Sequence, residues 1–457
     1  MRLNRQQLIA EARIIAGLAF PVVLTSLNWT LMQMMDVAFV GQVSSVELGY
    51  LGAGRSLTFI SIVMGIAAMS GVLVYTSRAD GAGDLPATGE FLRSGLALGL
   101  LIGLIGVTAL WFGARSALAG LDVAPAMVPQ ATRVVQAMAL AFPGQLVLVA
   151  ASYFLEGVSR PGRVMAVNLA TLPLNGVLAW AWVGGHLGLP ALGAVGASLA
   201  TAVASTVGGL LILVMAWTLP RAAERNVRDV SRAALVRAIT GIPALVRFGL
   251  VPCIASGLEI AGFSWLIVLS TQLGVVATGA FQIVFALHNF CFSLALGVGS
   301  AAGVRVGNAV GARTPELARP RALIAVSIGV VLMALLAGSY ALFAPFFTSL
   351  FSDDASLVAL AMPMLVLLAP FMLFDGAQVA FMFALRSLGD QVVAGVNGIV
   401  GFFIVTGGLG WLLVALGAGP MALIWASGIG MLVTALLNGG RFWWITEFER
   451  LRTAAPA

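Results

Sequence analysis

Residues 218–243 read TLPRAAERNVRDVSRAALVRAITGIP, with Arg221, Arg225, Arg228, Arg232 and Arg237 set among Glu224 and Asp229. This is the longest polar stretch in a chain that is otherwise strongly apolar. A helix needs about 20 apolar residues to cross the hydrocarbon core of a bilayer. Six such runs precede the stretch, at 14–40, 51–75, 94–113, 134–156, 163–184 and 191–217. Six follow it, at 244–270, 276–302, 321–344, 359–383, 392–416 and 419–440. The joins between runs 7 and 8 and between runs 11 and 12 carry few polar residues. The expected fold is an all-α polytopic membrane protein. Its twelve helices form two pseudo-symmetric six-helix lobes, 1–220 and 244–457, around a central cavity, joined by a cytoplasmic linker at 221–243.

Composition agrees with burial in lipid. Of 457 residues, 60% are hydrophobic and 9% charged, against about 25% charged in soluble domains. Mean hydropathy is +1.03. The 54 glycines let membrane helices approach closely. A net charge of +6 would point to nucleic acid in a soluble protein, but here it reflects basic cytoplasmic loops, and no nucleic-acid partner is expected. All 24 basic residues are arginine. Cys253 and Cys291 fall in apolar runs and are expected as small core residues rather than a disulfide. Two histidines make a His-based metal site improbable. The polar N-terminus followed by a long apolar run reads as a first membrane helix, with no cleavable signal.

Arginine placement orients the chain. With the N-terminus in the cytoplasm, 21 of the 24 arginines fall on the cytoplasmic side, including Arg2, Arg441, Arg450 and Arg452, and only Arg55, Arg115 and Arg133 fall outside. Both termini are then cytoplasmic, in a bacterial inner membrane. Trp443 and Trp444 read as an interfacial anchor.

The halves repeat at a shift of about 230 residues. LAFPVVLTS (18–26) answers FGLVPCIAS (248–256), RADGAGD (78–84) answers NAVGART (308–314), and FLEGVSRPG (154–162) answers ALRSLGDQV (384–392). Both halves start on the same side, so the repeat is parallel. Such folds hold substrate between lobes near the midplane.

Three acids lie inside apolar runs: Asp36, Glu259 and Asp375. A carboxylate at membrane depth costs a few kcal/mol and marks ion or substrate paths. Glu259 is 12 residues past Arg247 and Asp375 is 11 before Arg386, which places both roughly 16–18 Å from the cytoplasmic face. Two carboxylates at matched depth can share a proton or hold a sodium ion. Their counterparts in the first half, near Asn28 and Gln145, are not acidic, so the lobes differ in role. Ser256, Phe263, Trp265, Gln282, Phe285, His288 and Asn289 gather in runs 7 and 8, where an aromatic wall suits flat cations. Taken singly, each aromatic is better explained by helix packing, and His288 by a hydrogen bond between helices. Pro21, Pro252, Pro363 and Pro370 interrupt the backbone bonding of their helices.

These stretches resemble the multidrug and toxic compound extrusion (MATE) family, in its NorM-like branch. The similar segments are MQMMDVAFVGQ (32–42), RADGAGD (78–84), EGVSRPGRVMAVN (156–168), ALGAVGASLAT (191–201), GLEIAGF (257–263), VGNAVGART (306–314) and LFDGAQVAFMFALRSLGD (373–390). The resemblance covers nearly the whole chain. It implies export of organic cations in exchange for sodium ions or protons. It also implies ion coupling at Glu259 and Asp375, with Asp36 linked to proton coupling and drug binding, beside Asn175 of PLNGV. One branch carries a second first-lobe acid near that position. Asn175 stands there instead, which moves the ion-coupling expectation to Glu259 and Asp375.

The expected site is therefore Glu259, Asp375 and Asp36 for ions, with sodium possible at Glu259 and Asp375, and Asp36, Asn175, Gln282, Phe285 and Asn289 lining the cavity. No cofactor beyond the coupling ion is expected, and the chain is expected to be monomeric in its bilayer. The alternative within transport is a lipid-linked oligosaccharide flippase, whose cavity needs several basic residues for pyrophosphate. An enzyme is disfavoured, since no nucleophile elbow, HExxH or phosphate loop is present.

Overall fold

The computed structural model describes residues 4–121, 123–352 and 354–454, with side chains as far as Glu447. Arg2 and the side chains of Arg450 and Arg452 lie outside the described residues. Among the described residues, twelve helices are long and apolar enough to cross a membrane: α1 (Arg5–Val43), α2 (Ser45–Gly81), α3 (Leu85–Gly120), α4 (Val128–Gly157), α5 (Pro161–Gly184), α6 (Gly193–Trp217), α7 (Arg232–Gln272), α8 (Val275–Gly311), α9 (Pro315–Leu342), α10 (Ala355–Leu388), α11 (Gln391–Ala415) and α12 (Met421–Glu447). Each corresponds to one apolar run of the sequence. Most of the helices are longer than the runs because polar ends continue the turn; α6 and α11 are not. Residues 232–243 of the linker, for example, are already helical.

Local chemistry explains the ends. Asp84 caps α3 by accepting from the Ala87 amide, and Asp354 caps α10 by accepting from the Ser356 amide. Gly185 and Gly389 close α5 and α10 in the left-handed conformation. The two joins without polar markers are made by glycine as well. Gly274 separates α7 from α8 with φ 102°, and Gly417 and Gly419 separate α11 from α12 with φ 77° and 68°.

Contacts divide the chain into two compact units, Leu24–Cys253 and Met1–Val23 with Ile254–Ala457. The boundaries fall inside α1 and α7, just after Pro21 and Pro252, two proline positions that answer each other in the repeat. In the Leu24–Cys253 unit, α4 packs on α2, α3 and α6, and α6 packs along α5. In the other unit α10 packs on α8, α9 and α12, and α11 runs against α12. The same pairings thus recur in both halves.

Glycine sets how closely these helices meet. Gly329 of α9 and Gly376 of α10 face each other, and a Cβ on either would lie 2.9–3.0 Å from the other's carbonyl oxygen. Another close seam joins α12 to a π-helical segment of α11, Ile399–Gly407. There a Cβ on Gly430 would strike Thr406 Oγ1 and lie 2.7 Å from the Gly401 carbonyl oxygen. Gly430→Ala is therefore expected to cost about 1–3 kcal/mol by overpacking, despite alanine's better helix propensity. Gly440, on the same helix, has nothing within 4 Å of an added Cβ, and Gly440→Ala should leave the detergent melting temperature unchanged or raised.

Arginines at the helix ends are paired within each unit. Arg225 binds Asp80 at 2.6 Å, Arg305 binds Glu11 at 2.5 Å and Arg441 binds Asp390 at 2.6 Å. Trp443 and Trp444 are each covered by a guanidinium, from Arg319 at 3.5 Å and Arg441 at 4.6 Å from the ring centroids.

Candidate functional site

Two of the buried acids, Asp36 and Asp375, each anchor a constellation, one in each unit; Glu156 is buried as well. In Leu24–Cys253, α1 carries Asp36 into the protein with 2% of its surface exposed. Three helices supply donors to it. Arg55 Nη2 of α2 lies 2.8 Å from Oδ2, Thr201 Oγ1 of α6 donates to the same oxygen at 3.0 Å, and Asn175 Nδ2 of α5 donates to Oδ1 at 3.1 Å. A buried charge survives only when paired and hydrogen-bonded, and Asp36 has both. Arg55 also donates to the Gln33 carbonyl at 3.2 Å, while its buried Nε finds no partner among the described residues.

A pocket opens beside this pair. Trp29, Phe59, Phe142, Gln145, Thr201 and Ser205 line it together with Asp36 and Arg55, and it leaves about 70 Å³ of room for water. Trp29 and Phe59 stack with centroids 6.1 Å apart, and Ser205 donates to Gln145 Oε1 at 2.9 Å.

In the other unit, α10 buries Asp375 with 1% of its surface exposed. His288 Nε2 of α8 lies 3.1 Å from Oδ2, and Gln378 Nε2 donates to Oδ1 at 3.0 Å. Phe263 of α7 sits 6.0 Å from the His288 ring and 5.4 Å from the Phe285 ring. Glu259 lies one turn before Phe263 and experiences the charges of both Asp375 and Arg386. The helices carrying Glu259 and Asp375 therefore meet around His288. Phe263, Phe281, Phe285, His288 and Ser427 line a small pocket here. Cys291 donates to Tyr340 Oη at 3.3 Å, and Tyr340 donates to the Leu287 carbonyl at 3.1 Å, tying α8 to α9 below the site. Both cysteines are free.

Asp36 and Asn175 are thus joined directly, and Phe285 lies in the aromatic cluster. Gln282 and Asn289 are exposed on α8, outside both pocket linings. Among the described residues, no three His, Cys, Asp or Glu side chains cluster as a metal site. Arg55, Thr201 and Gln378 escaped the sequence reading. Arg55 gave the clearest signal, since it stands inside the apolar run 51–75. Counting it among extracytoplasmic arginines hid a charge that the structure puts within α2, on Asp36.

Known proteins match this architecture. The family model MatE matches residues 21–181 and 253–412, two stretches that begin 232 residues apart and so follow the repeat. A probable multidrug resistance protein NorM of Caulobacter vibrioides is 31% identical over 435 residues, covering 93% of this chain and 88% of that one. The multidrug resistance protein MdtK of Proteus mirabilis is 26% identical over 447 residues, covering 96% and 97%. Among solved structures, the eukaryotic MATE transporter AtDTX14 superposes with a TM-score of 0.85 at 19% identity, over 97% of this chain and 99% of that one. With the family model matched across both halves, this chain belongs to the MATE family of multidrug transporters and is a multi-pass membrane transporter rather than an enzyme.

Proposed function

We propose that the chain exports cationic amphipathic compounds from a bacterial cytoplasm in exchange for sodium ions or protons, by alternating access across the inner membrane with both termini cytoplasmic. The observation that carries this reading is the contrast between the two buried constellations. Asp36 is neutralised by a guanidinium and saturated by three donors. Among the described residues, Asp375 has no cationic side chain bonded to it beyond a histidine that is charged only when protonated, and Glu259 lies within reach of its field. In this reading the Glu259 and Asp375 region is where a bound proton or sodium ion changes the net charge, as a coupling site requires. The relatives named as multidrug resistance proteins support drugs as the exported class.

A flippase for a pyrophosphate-linked lipid fits less well, since one arginine, already paired, faces the Asp36 pocket. The test is efflux of ethidium from proteoliposomes with pH and sodium gradients imposed separately. Efflux above protein-free vesicles under at least one gradient is expected. Efflux under neither would remove the exporter reading.

A further inference from the structure

The Asp375 carboxylate is closed in by nitrogen. An ionised carboxylate only accepts hydrogen bonds. His288 Nε2, 3.1 Å from Oδ2, therefore turns an N–H toward one oxygen, and Gln378 Nε2 donates to the other at 3.0 Å. The His288 and Asp375 side chains are 7% and 2% exposed, so solvent does not reach the contact. The rings of Phe263 and Phe292, 6.0 and 6.3 Å from the imidazole, pack against it. The pocket that His288 lines is walled by Phe263, Phe281 and Phe285, and its about 10 Å³ of room takes one water at most. Among the described residues, Ser427 supplies the one side-chain oxygen of that lining. A hard cation such as sodium is held by several oxygens, from carboxylates, carbonyls and water. Here the positive ends of two N–H groups point at the oxygens that such an ion would need, and there is no room for a shell of water. Glu259 feels Asp375 through its charge, but among the described residues no three His, Cys, Asp or Glu side chains are placed to hold a metal. This donor set does not fit sodium. A proton needs only one lone pair.

We propose that His288 is a specificity residue that keeps sodium out of the Asp375 site, so that the exchange runs on protons alone. This rests on the chain being an ion-coupled exporter and narrows its coupling ion. Selectivity is a difference between two affinities, and a group that repels the wrong ion produces it as well as one that attracts the right ion. The other charged or titratable groups around the two acids are Glu259 of α7, Arg386 of α10, and Cys291 of α8 with its partner Tyr340 of α9. A substitution at His288 leaves all of them in place.

The test is ethidium efflux from proteoliposomes holding the full chain, wild type or His288→Ser. It is driven either by a sodium gradient at equal pH or by a pH gradient without sodium. Serine puts space and an oxygen where the imidazole stood. Wild type is expected to work under the pH gradient, with sodium-driven efflux no faster than the leak of protein-free vesicles. His288→Ser should raise the sodium-driven rate at least about tenfold above that leak, the worth of freeing a charged acceptor from one donor. A histidine that only packed helices together would lower both rates in parallel. Binding of radiolabelled sodium to the wild-type chain in nanodiscs is a second readout that needs no His288 variant, and none is expected above that of Asp375→Asn. Sodium-driven efflux by wild type, or sodium binding to it that Asp375→Asn removes, overturns the proposal. So does a sodium-to-proton rate ratio that His288→Ser leaves unchanged. Sodium-driven efflux by wild type leaves the exporter reading standing, whereas efflux under neither gradient removes that reading and this one with it.

Discussion

Arg55→Leu is expected to destabilise the chain by about 3–5 kcal/mol, because it strips the counter-charge from a carboxylate that stays buried. Asp36 is 2% exposed and reached from α2, α5 and α6 at once. Without Arg55 it keeps Asn175 and Thr201, two neutral donors that do not neutralise it. The Gln33 carbonyl loses its donor in the same step. The converse change, Asp36→Asn, should cost less, since the Arg55 side chain is the more exposed of the two and can turn toward the pocket. Joining Arg55→Leu to Asp36→Asn removes both charges and should recover most of the loss. Detergent melting temperatures for the two single variants and the double variant measure this cycle directly. An Arg55→Leu melt unchanged from wild type would show that the pair contributes nothing.

The sequence exposed the helices more readily than the charges between them. Twelve apolar runs announce twelve helices because lipid leaves a spanning chain no other way to satisfy its backbone. The repeat was visible as short glycine and proline signatures, and the matched stretches beginning at residues 21 and 253 follow it. The acids were visible because a carboxylate in an apolar run is costly and stands out. What could not be read was pairing, which depends on rotation and depth of separate helices. Asp36 and Asn175 are 139 residues apart, and His288 and Asp375 are 87 apart. Nothing along the chain says that these side chains face one another. Nor does the polar stretch 218–243 mark the boundaries of the compact units, because those lie beside Pro21 and Pro252, inside helices.

Asp375→Asn is expected to reduce ion-driven ethidium efflux at least about tenfold, towards the leak of protein-free vesicles, with little change in folding. Asparagine has the same shape, and its carbonyl oxygen still accepts from Gln378 Nε2, which now meets Asp375 Oδ1 at 3.0 Å. Its amide can donate to an unprotonated His288 ring nitrogen, in place of the 3.1 Å contact. The hydrogen bond that joins α8 to α10 and the one within α10 are thus both replaceable, and the site loses only its charge. A chain that folds and binds substrate but cannot change protonation or hold a cation there has no means to harvest a gradient. Glu259→Gln should act in the same direction, because Glu259 and Asp375 lie in each other's field and a coupling ion is attracted by both. If the two carboxylates form one site, the double variant should be no worse than the more damaging single one. If they act at separate steps, the losses should multiply. Wild-type efflux rates from both single variants, at normal amounts of folded protein, would exclude Glu259 and Asp375 from coupling and return the search to Asp36.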